Sequence, residues 1–102
     1  MKNAHCKHEQ RSLLMHRLVA DRLRQSPSDV MRFGLDNLQR WRQGGLDCDD
    51  FVVWDRLLHS EPERLLETLE SDDEDACRLR QSSPFAGLLS EEERERIFAT
   101  VS

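Results

Sequence analysis

Hydrophobic residues recur along this chain at steps of three and four positions, which is the spacing of one face of an α-helix. In the first such segment Leu14 and Leu18 form one row, and Met15, Val19 and Leu23 form an adjoining row. Comparable rows continue to the C-terminus, and β-branched residues are few. The pattern predicts an all-α fold, a compact bundle of five to six short helices in a single domain.

Four motifs that begin with serine mark predicted helix starts. Ser26 precedes a proline, and Ser60, Ser71 and Ser90 are each followed by a glutamate three residues later, which is the spacing of a capping box. In a capping box the serine oxygen accepts a free backbone amide, and the glutamate reaches back to the amide of the serine. We therefore expect a helix to begin at each of these motifs.

The third helix is predicted to begin at Asp47 and to contain the run FVVW at positions 51–54. That run alone could form a strand, but the acidic residues before it and the leucine pair after it favour a helix. Gly44 and Gly45 predict the end of the preceding helix. The fifth helix is expected to be short and polar, over residues 72–81.

A chain of 102 residues has room for one domain with a small core. We expect residues 11–102 to form that helical domain and residues 1–10 to be a disordered N-terminus. The predicted core combines the leucine rows with four aromatic side chains, Phe33, Trp41, Phe51 and Trp54.

Charge is distributed unevenly between the two halves of the chain. Residues 1–45 contain nine Lys or Arg against four Asp or Glu, whereas residues 46–102 contain six against sixteen. The acidic half should repel nucleic acid and attract basic protein surfaces, and the basic half could lie near phosphates or pair with the acidic half.

The chain has no apolar run of the roughly 18 residues that cross a bilayer and no hydrophobic leader after its first lysines. Its three cysteines are widely spaced and odd in number, which is not typical of a disulfide framework. We therefore expect a cytoplasmic protein with reduced thiols and no association with membranes.

The sequence favours no enzyme, cofactor or metal site. The run His5-Cys6-Lys7-His8 contains metal-ligating residues but has no second pair of ligands elsewhere. The acidic run at residues 72–75 lacks the alternation, glycine and final glutamate of a calcium-binding loop. No nucleophile, acid–base pair or phosphate-binding glycine loop follows a known spacing.

Protein binding fits the charge pattern best. We expect a non-enzymatic partner protein that masks a more basic protein, such as a toxin or an enzyme, through its acidic C-terminal half. The residues predicted to contact the partner are Arg78, Arg80, Phe85, Leu88, Glu91, Glu92 and Glu95.

Two alternatives stay open. A DNA-binding regulator would use the arginines of the first two helices, Arg11, Arg17, Arg22, Arg24 and Arg32. The second helix opens with SPSDVMRFG, however, which is acidic and apolar where a recognition helix would face bases. A phage-type inhibitor protein is the other alternative.

The stretch RLRQSSPFAGLLSEEERERIF at residues 78–98 resembles the C-terminal signature of a group of small, poorly characterised bacterial helical proteins. The signature has the form Leu-Arg-Gln-Ser/Asn-Ser-Pro-Phe-Ala-Gly-x-Leu followed by an acidic helix, and upstream segments from about residue 12 also resemble the group. The resemblance implies an antitoxin-like or regulatory role. The chain departs from the group in its last helix, where Arg94-Glu95-Arg96 replaces an aromatic residue.

The SPFAG segment within that signature could be an exposed binding loop or a turn that seals the core. Pro84 ends the fifth helix and Ser90 caps the next one, so Phe85, Leu88 and Leu89 can turn back into the core. We favour the architectural role. It predicts that Phe85 is buried against Trp54 or Leu66.

Overall fold

The computed structural model describes residues 7–101, and this range contains six helices and no strand. The predicted all-α fold is therefore confirmed. The Cα radius of gyration of 13.4 Å is close to the ~13 Å of a compact domain of this length. In chain order the helices are α1 (Lys7–Gln25), α2 (Pro27–Gln43), α3 (Asp49–Leu58), α4 (Pro62–Glu70), α5 (Glu74–Arg80) and α6 (Glu91–Thr100).

The longest helix, α1, is central to the bundle and contacts α2, α4, α5 and α6. Its inner face buries Val19, Ala20 and Leu23, in agreement with the predicted row. Each of the remaining five helices, and the segment before α6, also contributes side chains to the core. These are Val30, Leu38, Phe51, Trp54, Leu58, Leu65, Leu69, Leu79, Phe85, Leu89 and Ile97. Phe33 and Trp41 are only partly buried and pack against this core.

Of the three predicted capping boxes, the one at α6 forms. The Ser90 hydroxyl accepts the Glu93 amide at 3.1 Å, and the Glu93 carboxylate accepts the Ser90 amide at 2.9 Å. Ser26 occupies the N-cap of α2 with Pro27 in the first helical turn, but its side chain forms no capping hydrogen bond. Here the fixed φ of proline suits the helix start without help from the serine.

The prediction that Ser60 caps α4 is wrong. Pro62 lies at the start of α4, which makes Glu61 the N-cap residue. The Ser60 hydroxyl instead donates to the Leu57 carbonyl at 2.7 Å, so it satisfies the end of α3 rather than the start of α4.

The predicted cap at Ser71 is also wrong, by two residues. The Ser71 hydroxyl accepts the Asp73 amide at 3.2 Å and donates to the Asp73 carboxylate at 2.9 Å. Asp73 then caps α5 by accepting the Ala76 amide at 2.8 Å. The hydrogen bonds that the Asp73 carboxylate accepts from the Ala76 amide and from the Ser71 hydroxyl lower its pKa, and the bond from Ala76 contributes more.

Two further boundaries differ from the sequence expectation. The run FVVW is helical, as predicted, but α3 begins at Asp49 rather than Asp47. In the segment expected to be a disordered N-terminus, α1 begins at Lys7, so residues 7–10 are helical. Residues 1–6, which include His5 and Cys6, lie outside the described residues.

Helix α2 packs closely against its neighbours at Gly34. A Cβ at this position would lie 3.0 Å from Leu58 Cδ2 on α3 and 3.1 Å from the Phe85 ring. Those distances are shorter than ordinary van der Waals contact. The missing side chain therefore lets α3 and the segment after α5 approach the backbone of α2.

Candidate partner-binding surface

Residues 83–88, the SPFAGL turn, follow α5 and direct an aromatic ring into the core. Phe85 is 4% exposed, and its ring meets Trp54 edge to face, with 5.9 Å between ring centroids and 88° between ring planes. The interpretation of this segment as a core plug is confirmed. The assignment of Phe85 as a partner contact is corrected, because a buried ring is not accessible to a partner.

Two hydrogen bonds within the SPFAGL turn help to fix its shape. The Ser83 hydroxyl accepts the Phe85 amide at 3.2 Å, and the Phe85 carbonyl accepts the Leu88 amide at 3.1 Å. Gly87 lies inside the turn with φ of 90°, a conformation that favours glycine. Leu88 is half-buried beside the core, so only part of its side chain is open to a partner.

Asn37 on α2 anchors the SPFAGL turn and was missed by the sequence reasoning. It is buried, and its amide nitrogen donates to the Pro84 carbonyl at 2.8 Å and the Ala86 carbonyl at 3.2 Å. Its amide oxygen accepts a hydrogen bond from Arg40. The signal was available, because Asn37 interrupts the apolar face formed by Gly34, Leu38 and Trp41.

Arg80, a predicted partner contact, is only 4% exposed. Its Nη1 donates to the Thr68 carbonyl at 2.9 Å and to the Ser71 carbonyl at 2.5 Å, which are free acceptors at the C-terminal end of α4. The position of Arg80 at the negative end of that helix dipole is favourable for a cation. The prediction is corrected: Arg80 joins α5 to the end of α4 from inside the bundle.

Arg78, the other arginine predicted as a contact, is exposed at the opposite side of α5 from Arg80. It forms an ion pair with Asp50 on α3, with 3.0 Å between Nη1 and Oδ1. Arg78 is therefore accessible to a partner, but its charge is already compensated within the chain.

Two of the five arginines of the DNA-binding alternative form ion pairs with the acidic half of the chain. Arg22 pairs with Glu93 of α6, and Arg24 pairs with Glu70 of α4 at 2.7 Å. The hydrogen bond that Arg24 donates to Glu70 is the main cause of the raised pKa of Arg24.

Three more arginines belong to this set. Arg11 donates to the Val101 carbonyl at 3.1 Å and lies 4.8 Å from the centre of the exposed Phe98 ring. Arg17 and Arg32 are exposed on α1 and α2. The five arginines are thus divided between internal contacts and open surface.

Acidic side chains cluster where α4 ends and α5 begins. We define the α4–α5 acidic face by four exposed residues, Glu67, Asp73, Glu74 and Asp75. Three of them, all but Glu74, line a groove of about 200 Å³ between the two helices. Within the part of the chain that the structure describes, none of the four carboxylates forms a close ion pair, although Arg80 attracts Asp73 from farther away.

The acids predicted as contacts on α6 lie in a more balanced setting. Glu91, Glu92 and Glu95 are exposed, and Arg94 and Arg96 are exposed on the same helix. Arg96 lies 3.8 Å from Glu92. The net negative charge of this helix surface is therefore smaller than that of the α4–α5 acidic face.

The described residues contain no group of three His, Cys, Asp or Glu side chains arranged to hold a metal ion. Within the same range, none of the helices combines the length and apolar character needed to cross a membrane. Comparisons with protein-family models, curated proteins and solved structures found no match to this chain.

Proposed function

We propose that this protein is a non-enzymatic binding protein, an antitoxin-like or regulatory partner that masks a basic protein with its α4–α5 acidic face. The observation that carries the proposal is a difference in ion pairing between arginines of the basic half and carboxylates of the acidic face. Arg22 and Arg24 of the basic half are paired with Glu93 and Glu70, while the four carboxylates of the acidic face form no close ion pair among the described residues. Asp73 is attracted only at longer range, by Arg80.

The location of these carboxylates also supports the proposal. Asp73, Glu74 and Asp75 are close together at the start of α5, where like charges repel one another. The helix dipole, the hydrogen bonds to Asp73 and the more distant charge of Arg80 offset part of this repulsion. A basic surface placed against them would relieve that repulsion. It would also be attracted over distances of about the Debye length, ~8 Å at physiological salt.

Apolar contacts for such a complex are available on the neighbouring helix. Val52 and Val53 on α3 are 45% and 36% exposed, and α3 packs against α4. A few apolar anchors beside a charged rim are typical of protein interfaces.

A pull-down with charge-neutral variants tests the assigned face. We would immobilise the wild-type protein and a Glu67→Gln/Glu74→Gln/Asp75→Asn variant and expose both to an extract of cells that naturally express the chain. Asp73 is retained because it caps α5. We expect the wild type to retain a basic protein in stoichiometric amount and the variant to lose it.

The matched control neutralises three exposed acids on α6, in a Glu91→Gln/Glu92→Gln/Glu95→Gln variant. We expect this control to bind like the wild type, and circular dichroism to show that both variants are folded. Equal retention by all three proteins, or loss only in the α6 variant, contradicts the assignment of the α4–α5 acidic face.

The DNA-binding alternative predicts a different result. A regulator using Arg11, Arg17, Arg22, Arg24 and Arg32 should shift its own promoter fragment at low salt and release it at moderate salt. Because Arg22 and Arg24 are already paired with carboxylates, we expect no such shift. A salt-dependent shift would favour the regulator.

A further inference from the structure

A cavity of about 340 Å³ lies between α1 and the SPFAGL turn. One part of its wall is apolar, formed by Met15 and Val19 of α1 and by Phe85 and Leu89 from the segment before α6. A volume of this size falls in the range of about 300–1,000 Å³ found for small-molecule sites, which are mostly apolar with a few polar groups.

The polar part of the wall is cationic. Arg80, Arg94 and His16 line the cavity, and no carboxylate lines it. Arg94 is exposed at its edge. His16 is buried, its Nδ1 donates to the Ser12 carbonyl at 2.7 Å, and burial lowers the pKa of its imidazole to about 4. The imidazole is therefore neutral at pH 7, and the positive charge of the wall comes from the two arginines.

Arg80 has no carboxylate among its hydrogen-bond partners, although Asp73 attracts its charge from farther away. The hydrogen-bond acceptors of Arg80 are the Thr68 and Ser71 carbonyls and the Cys77 sulfur at 3.4 Å. No carboxylate of the described residues forms an ion pair with it. Its Nε is buried and has no hydrogen-bond acceptor. Buried charges in proteins are ordinarily compensated by an opposite charge.

We infer that this cavity binds a small organic anion, a carboxylate attached to a short apolar body. The carboxylate compensates the charge of Arg80 and Arg94, and the apolar body covers Met15, Val19 and Phe85. Inorganic phosphate has no apolar body and would leave the apolar wall in contact with water, so we do not expect it to bind in this cavity. This site is separate from the α4–α5 acidic face, and the inference does not rest on the proposed function.

Titration with hexanoate, followed by the amide chemical shifts of the protein, tests the inference. We expect saturable shifts confined to residues near the cavity, in α1 and the SPFAGL turn. Hexanamide has the same apolar body without the charge and should bind at least about tenfold more weakly. Inorganic phosphate should not compete with hexanoate.

Variants assign the binding to the arginines. Arg80→Gln removes the buried charge but also the bonds to the end of α4, so it can unfold the protein. Arg94→Gln alters an exposed side chain and should weaken hexanoate about threefold to tenfold while leaving hexanamide unchanged. Arg96→Gln is the matched control, because Arg96 is exposed on α6 but does not line the cavity.

Four results would overturn the inference. The first is an absence of saturable shifts with hexanoate. The second is equal binding of hexanoate and hexanamide, which would mean that the charge plays no part. The third is an equal effect of the Arg94 and Arg96 substitutions, and the fourth is competition by phosphate. Either of these would indicate a general attraction of anions to the surface.

Discussion

At the scale of single residues, two side chains hold the SPFAGL turn in place, the buried ring of Phe85 and the buried amide of Asn37. Its buried amide satisfies two carbonyls of a segment without regular secondary structure, and buried carbonyls without partners are costly. The aromatic ring supplies the apolar contact, and Asn37 fixes where the turn lies.

Replacement of Asn37 should therefore destabilise the fold. Asn37→Leu keeps a similar side-chain volume but leaves the Pro84 and Ala86 carbonyls unsatisfied, and we expect a loss of about 1–3 kcal/mol in the free energy of unfolding. Urea denaturation measures this loss. Gln39→Leu, at an exposed position of the same helix, is the control and should change stability by less than about 0.5 kcal/mol.

His16 makes stability depend on pH. Burial of the imidazole lowers its pKa from 6.5 to about 4, and the nearby Arg80 charge acts in the same direction. Between these two values the unfolded chain binds a proton that the folded chain does not. Stability from this group is therefore fully present above pH 6.5 and is lost as the pH falls toward 4.

We expect the wild type to lose about 2 kcal/mol of unfolding free energy through His16 between pH 7 and pH 5. Paired urea denaturations at the two pH values measure this change. His16→Leu should remove most of it, whereas His59→Leu, at an exposed position, should retain it. A pH dependence that survives in His16→Leu would contradict the assignment.

The residue-scale features differ in how far the sequence predicts them. The burial of Phe85 follows from an apolar residue placed between two helix boundaries, and it was predicted. The burial of Arg80 was not predictable from composition rules that place arginine at the surface. It depends on the carbonyls of Thr68 and Ser71, which come within reach only once α4 and α5 have packed.

At the scale of helices, the number and order of the elements follow from the apolar rows, while their first residues do not. At Ser60, Ser71 and Ser90 a glutamate follows the serine by three residues, so the spacing predicts a capping box at each position. The spacing takes no account of nearby residues that can determine the helix start instead. Pro62 sets the start of α4, and Asp73 accepts the Ala76 amide in place of Ser71. Only Ser90 has no such competitor.

The capping box of α6 should contribute measurably to stability. Ser90→Ala removes the acceptor for the Glu93 amide, and we expect a loss of about 1 kcal/mol. Ser26→Ala is the control, because Ser26 lies at an N-cap without a side-chain hydrogen bond, and it should cost less. Thermal or urea denaturation compares the two, and equal losses would contradict the assigned cap.

The close approach of α2 to α3 gives a further prediction. Gly34→Ala places a Cβ against Leu58 and the Phe85 ring, and Asn37 and Trp54 prevent the SPFAGL turn from moving away. We expect a net loss of about 1–2 kcal/mol despite the better helix propensity of alanine. Gly44→Ala has ordinary contacts of 3.5 Å and longer and should change stability little.

At the scale of the whole molecule, the division of charge between the two halves was visible in the sequence, but its consequence was not. The charge totals alone do not say which acids are compensated. Folding brings Glu70 and Glu93 against the arginines of α1 and leaves Glu67, Glu74 and Asp75 without cations among the described residues. The resemblance to small bacterial helical proteins stays a prediction.

The proposed masking of a basic partner is tested most directly by the mass of the protein purified gently from cells that naturally express it. Size-exclusion chromatography with light scattering, at about 50 mM salt, measures that mass, and mass spectrometry identifies the chains present. We expect the 12.0 kDa chain in a stoichiometric complex with a second, basic protein. This complex should dissociate at higher salt, because the added ions screen the acidic face. Recovery of the 12.0 kDa chain alone, or only with further copies of itself, would contradict the account.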